Sequence, residues 1–71
     1  MKTGDVQIVV NGETREVPGG LEVSALLSHL GLPSDRVAIE RNLEILPRAQ
    51  WLKTAVEPGD RYEIVQLVGG G

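Results

Sequence analysis

The chain has 71 residues, a net charge of −3 and no cysteine, which predicts one small domain with a single core and excludes a disulfide framework or a catalytic thiolate. Its seven Lys and Arg residues are scattered among ten Asp and Glu residues, so nucleic acid is not an expected partner. No apolar run approaches the roughly 20 residues that span a bilayer, and the first residues lack the apolar region of a signal peptide; we expect a cytoplasmic protein that binds no membrane, metal or cofactor.

The first elements form a predicted β-hairpin. Apolar residues alternate over residues 6–10, which is typical of a strand. The strand ends at Asn11 and Gly12, a strong hairpin signal because both residues accept positive φ. Residues 13–17 return as the second strand, and Gly19 and Gly20 follow its end. No lysine follows these glycines at P-loop spacing, so they are predicted to connect a strand to a helix rather than to hold a phosphate.

One helix is predicted at residues 23–30. Its apolar residues follow the spacing i, i+3, i+4, i+7, which makes one stripe of Val23, Leu26, Leu27 and Leu30. Gly31 provides the usual residue after a helix end, and Pro33 prevents continuation. His29 is the single histidine, lies off this stripe and is expected on the surface.

The second half of the chain predicts two short strands and a helical turn. The strands are expected at residues 37–39 and 44–46, with Asn42 suited to the turn between them. Pro47 at a first helical position favours a single helical turn over residues 48–52. From this turn, Trp51 and Leu52 are expected to close the core. Pro58 and Gly59 then predict a turn before the last strand.

This order of elements predicts an α+β fold of the β-grasp type, with one main helix across one face of a mixed sheet. The last strand should lie in the centre, parallel to the first, since the helix provides the crossover that parallel pairing requires. The expected core consists of Ile8, Val23, Leu26, Leu27, Leu30, Ile39 and Ile64.

The last strand carries apolar residues on both faces. Tyr62 and Ile64 should face the helix, and Val65 and Leu67 should face the other side. One helix cannot cover both faces of a sheet. We therefore expect Val65 and Leu67 to be covered by partner proteins.

The chain ends in three glycines, Gly69, Gly70 and Gly71. Without Cβ atoms they form a flexible thread that fits a slot too narrow for a side chain. The α-carboxylate of Gly71 is ionised near neutrality and is a poor electrophile, so it reacts only after another enzyme activates it. The alternative is a disordered tail without a role. The expected division is an N-terminal extension at 1–5, a β-grasp domain at 6–68 and a flexible tail at 69–71.

Three stretches carry a resemblance to a known family. They are VAIERNLEILPRAQW at residues 37–51, PGD at residues 58–60 and EIVQLVGGG at residues 63–71. Together they resemble the ThiS family of sulfur carriers in thiamine biosynthesis, which implies a ubiquitin-like β-grasp from residue 6 to the end. The chain departs from the family pattern at Glu22, at Leu67 and in residues 1–5. A glycine-ended β-grasp also occurs in ubiquitin-like modifiers and the small subunit of molybdopterin synthase. A carrier or modifier for another pathway and a non-catalytic interaction module therefore remain the alternatives.

The resemblance implies a stoichiometric carrier rather than an enzyme. An E1-like adenylyltransferase of the ThiF type would adenylate the carboxylate of Gly71 with ATP. A persulfide sulfur donor would convert it to a thiocarboxylate, and a thiazole synthase of the ThiG type would use that sulfur. Gly69 and Gly70 would enter the active site of the partner. The residues that bind partners would be Val65, Leu67 and Val68.

Overall fold

The computed structural model describes residues 4–67. The strands, in chain order, are β1 (Asp5–Val10), β2 (Glu13–Pro18), β3 (Val37–Arg41), β4 (Glu44–Ile45) and β5 (Arg61–Gln66). Helix α1 spans Val23–Leu30, and a 3₁₀ helix spans Arg48–Lys53. None of the helices within this part of the chain is long and apolar enough to cross a membrane.

The five strands form one mixed sheet in the order β2-β1-β5-β3-β4. The last strand, β5, is central: it pairs in parallel with β1 and antiparallel with β3. The connection between the two parallel strands includes α1, which packs on one face of the sheet. This topology confirms the predicted ubiquitin-like β-grasp.

The β1–β2 hairpin turns at the predicted dipeptide. Asn11 has φ 51° and Gly12 has φ 83°, the combination that a two-residue turn between twisted strands requires. β1 begins at Asp5, opposite Pro18, one residue before the predicted start.

Backbone hydrogen bonds are made at both ends of α1. At the C-terminal end, Gly31 has φ 75° and its N–H donates to the Ser28 carbonyl, as predicted for a glycine at this place. At the N-terminal end, the N–H of Val23 donates to the Thr54 carbonyl at 2.9 Å. The side chain of Glu22 makes no capping bond.

The core lies between α1 and the sheet. Ile8, Val23, Leu26, Leu27, Ile39 and Ile64 are buried as predicted, whereas Leu30 is only partly buried against the core. The other buried apolar residues are Val10, Val17, Val37, Trp51, Val56 and Tyr62. His29 lies on the surface, as the position off the stripe predicts.

The prediction that both Trp51 and Leu52 close the core is wrong for Leu52. Trp51 is buried, and its Nε1 donates to the Leu46 carbonyl at 3.0 Å. Leu52 is 74% exposed. A 3₁₀ helix has three residues per turn, so neighbouring side chains point about a third of a turn apart and cannot both face the sheet. Val56, further along the chain, is buried in this part of the core instead.

The β3–β4 hairpin contains a backbone feature that sequence reasoning missed. Asn42 has φ 53°, as its predicted turn position allows, but Leu43 has φ 73° and is 89% exposed. Bulky residues rarely adopt positive φ. β4 ends at Ile45, one residue before the predicted end.

Candidate functional site

The site is built around β5, which is hydrogen-bonded to β1 near its beginning and to β3 along its length. Towards β1, the N–H of Asn11 donates to the Tyr62 carbonyl at 2.8 Å. Towards β3, the register continues until Val37 lies opposite Gln66, and the N–H of Leu67 donates to the Arg36 carbonyl at 2.7 Å. The backbone is therefore held up to the last described residue.

The side chain of Asn11 extends the pairing of β5 beyond the end of β1. Its Nδ2 donates to the Ile64 carbonyl at 3.0 Å, and its Oδ1 accepts from the Ile64 N–H at 2.7 Å. The amide thus replaces the strand residue that is missing where β1 turns into β2. Sequence reasoning assigned Asn11 only to the turn, because nothing in a single sequence links it to a residue 53 positions away.

The two faces of β5 differ as predicted. Tyr62 and Ile64 are 1% and 5% exposed on the helix side, whereas Val65 and Leu67 are 55% and 53% exposed on the open face of the sheet. Their role in partner binding stays a prediction. Val68, Gly69, Gly70 and Gly71 lie outside the described residues, so their predicted roles are untested.

A shallow groove of about 260 Å³ runs along the open face beside Val65. It combines apolar side chains with two carboxylates, and its lining consists of Ala38, Ile39, Glu40, Ile45, Glu63 and Val65. Ile45 is 76% exposed. An exposed apolar surface of this kind on a small domain is typical of a protein contact.

A buried carboxylate anchors the beginning of β5. Asp60 is 5% exposed. Its Oδ2 accepts from Arg41 Nε at 3.0 Å, the Tyr62 hydroxyl at 2.8 Å and the Glu57 N–H at 2.9 Å. Its Oδ1 accepts from Asn42 Nδ2 at 3.2 Å. The cluster ties the turn before β5 to the end of β3 and the β3–β4 turn.

The electrostatics of this cluster are those of a structural anchor. Burial alone would raise the pKa of Asp60, but the four donors from Glu57, Tyr62, Asn42 and Arg41 outweigh it and hold the pKa of this carboxyl below its ordinary value. Burial, together with the Asp60 carboxylate, raises the pKa of Tyr62. The carboxylate therefore stays ionised and occupied by its donors, which leaves it unsuited to proton transfer.

The Asp60 cluster explains two of the stretches that carry the resemblance. Arg41 and Asn42 belong to the first stretch and Asp60 to the second, and they meet in this cluster. Asn42 also accepts from the Arg61 N–H at 2.9 Å through its Oδ1. The sequence analysis used these residues as a family signature and did not predict that they contact each other. The available signal was that the Arg-Asn pair and the Asp beside a turn both lie next to predicted strands.

Comparison with known proteins identifies the family. The ThiS family model matches residues 8–71. The sulfur carrier protein ThiS of Escherichia coli (strain K12) is 32% identical over 66 residues, which cover 93% of this chain and 100% of that protein. The crystal structure of the thiamine biosynthesis protein ThiS from Geobacter metallireducens matches with a TM-score of 0.80 and 36% identity, over 93% of this chain and 100% of that chain.

A further relative is larger than this chain. A thiazole synthase of Paramagnetospirillum magneticum is 47% identical over 66 residues, which are 93% of this chain but 20% of that protein. This chain thus spans about one fifth of the thiazole synthases that it matches. The family match over nearly the whole chain and the full-length match to a ThiS protein agree with the β-grasp topology: the chain belongs to the ThiS family of sulfur carrier proteins.

Proposed function

We propose that this chain carries sulfur on its C-terminal carboxylate for the formation of the thiazole ring of thiamine. The observation that supports this most directly is the fixed backbone of β5, which is held on the β1 side as far as Ile64 and on the β3 side as far as Leu67, and is followed in the sequence by Val68 and three glycines. A reactive end is delivered efficiently when the segment before it is anchored, because less freedom is lost on binding. Membership of the ThiS family supports the same role.

The proposed chemistry takes place at Gly71. A carboxylate oxygen attacks the α-phosphorus of ATP, the bond to pyrophosphate breaks, and an acyl-adenylate forms. The terminal sulfur of a persulfide then attacks the acyl carbon and expels AMP. A thiol then attacks the donor's sulfur in the resulting acyl disulfide, forms a new disulfide with the donor and releases the thiocarboxylate. The chain has no cysteine, so its terminus is where it would carry this sulfur.

The proposed partners are a ThiF-type adenylyltransferase, a persulfide donor and a ThiG-type thiazole synthase. Two proteins named thiazole synthase contain a stretch similar to this chain, which supports the last of these. In this proposal Val65, Leu67 and Val68 contact the partners, and Gly69 and Gly70 pass through a slot that admits no Cβ.

The first experiment removes Gly71. Wild type, the Gly71 deletion and a form with one residue added after Gly71 are incubated with the adenylyltransferase and ATP, and pyrophosphate release is measured. We expect release from wild type alone, with melting curves unchanged because both changes lie beyond the strand. With a sulfur source, the intact mass of wild type should rise by the exchange of one oxygen for sulfur. Normal pyrophosphate release from the deletion would contradict the proposal.

The second experiment tests docking. Val65→Asp and Leu67→Asp place a charge on the half-exposed apolar face, so a pull-down on the adenylyltransferase should lose most of the bound protein while the melting temperature changes little. Leu52→Asp is the matched control, since Leu52 is exposed and belongs to the 3₁₀ helix, which contacts α1. If Leu52→Asp weakens binding as much as the other two variants, the docking surface lies elsewhere.

A further inference from the structure

Two glutamates oppose each other on the open face. Glu40 of β3 lies directly opposite Glu63 of β5, and both are exposed. Within residues 4–67 the ion pairs are Arg15 with Glu13 and Arg41 with Asp60, so neither glutamate forms an ion pair in this part of the chain. Like charges directly opposite on neighbouring strands destabilise a sheet. Among the described residues, this is an unfavourable pair in the central strands.

The same two glutamates line the groove beside Val65. Ala38 lies opposite Val65 two residues further along the strands, and Ile45 lies opposite Glu40 on β4. The apolar side chains thus flank the carboxylates within one groove of about 260 Å³. A long basic side chain fits this arrangement, because its aliphatic stem packs on apolar surface while its charged end binds carboxylates.

We propose that the groove receives an arginine or lysine side chain of the protein that docks on the open face, and that Glu40 and Glu63 bind its charged end together. This inference rests on the proposed function and adds the chemistry by which partners are recognised. Binding removes the repulsion between the two carboxylates. The pair of glutamates therefore lowers the stability of the free chain and increases its affinity for the partner.

Other occupants fit less well. A second copy of this chain would bring a further pair of glutamates to the same surface in a protein of net charge −3. A small molecule is usually enclosed in a larger cavity, of roughly 300–1,000 Å³, whereas this groove lies open on the sheet. A protein partner with a protruding basic residue satisfies both the charge and the shape.

The variant Glu63→Lys separates recognition from stability. It replaces a repulsive cross-strand pair by an attractive one, so the melting temperature of the free protein should rise by a few degrees, roughly what one cross-strand pair contributes. Binding to the purified thiazole synthase and adenylyltransferase should weaken roughly tenfold or more, the range of one charge-assisted hydrogen bond. The loss should shrink at high salt as charges are screened.

The matched control is Glu16→Lys, which makes the same charge change at an exposed position of the edge strand β2 opposite Gln7, away from the groove, and should leave binding within about twofold. Equal binding losses in the two variants, unchanged binding of Glu63→Lys, or no rise in its melting temperature would overturn the inference. The inference would also be overturned if sedimentation showed that the wild-type protein is a dimer and that Glu63→Lys is a monomer, because a second copy would then occupy the groove. If the wild-type protein neither binds the partners nor releases pyrophosphate, the proposed function fails as well. If the wild-type protein is active and Glu63→Lys binds the partners equally well, only this inference is rejected.

Discussion

Replacing Asp60 by asparagine tests whether the buried carboxylate holds the beginning of β5. The variant keeps the size of the side chain and one acceptor oxygen, but it removes the charge that four donors share. Hydrogen bonds to a charged group contribute about 1.5–3 kcal/mol, against about 0.5–1.5 kcal/mol for neutral ones. The partly buried Arg41, whose side chain is 26% exposed, also loses its ion-pair partner. We expect the free energy of unfolding to fall by about 3 kcal/mol.

This loss is large for a chain of 71 residues, whose total stability is expected at roughly 4–11 kcal/mol. It corresponds to a fall in melting temperature of roughly 12–24 °C, measured by circular dichroism at neutral pH. Asp35→Asn serves as the control, because Asp35 is exposed in the loop before β3 and its replacement should leave the melting temperature almost unchanged.

The pH dependence provides a second check on Asp60. Its folded-state pKa lies below the ordinary value, so its stabilisation is fully present above the unfolded pKa of about 3.9 and is lost as the pH falls through the folded pKa. The stability gap between wild type and Asp60→Asn should therefore be constant near neutrality and narrow in acid. The anchoring role would be refuted if the two proteins differed in free energy of unfolding by less than about 0.5 kcal/mol at neutral pH, which is the usual effect of a surface substitution. It would also be refuted if the difference persisted in strong acid.

Two further predictions concern the core and the β3–β4 turn. Leu27 is fully buried on α1, so Leu27→Ala should lower the free energy of unfolding by about 2–5 kcal/mol, and an unchanged urea midpoint would contradict its place in the core. Leu43 has φ 73°, and Leu43→Gly should raise stability by about 1 kcal/mol, because relief of strain of roughly 1–3 kcal/mol exceeds the added entropy of the unfolded chain. Leu43→Ala keeps a Cβ and should bring no such gain; equal melting temperatures for the two variants would count against strain at this residue.

The elements that could be predicted are those whose signals lie close together in the chain. Asn11 and Gly12 determine the first turn, and Gly31 ends α1 where the apolar stripe ends. The alternation along β5 correctly separated buried Ile64 from exposed Val65. In each case local backbone preference and the apolar pattern favour the same structure, which is why sequence alone was sufficient.

The features that were missed depend on contacts between distant residues. Asp60 binds Arg41 across 19 positions of sequence, and Asn11 binds Ile64 across 53, so no local pattern reveals either pair. Leu52 was placed in the core by its apolar character, but the 3₁₀ geometry that buries Trp51 turns it to solvent. Leu43 was not predicted at positive φ because its residue type disfavours that conformation.

Three contacts along β5 support its proposed role. Asp60 holds its beginning, Asn11 its middle and the Arg36 carbonyl its end. None of these groups needs to contact a partner, because each acts on the position of the strand. Side chains along β5 alternate between the two faces of the sheet: Ile64 is buried and stabilises the fold, whereas Val65 is half-exposed on the face where the proposal places the partners. A change at a buried position should thus affect sulfur transfer only through the folded fraction, and a change at an exposed position only through binding.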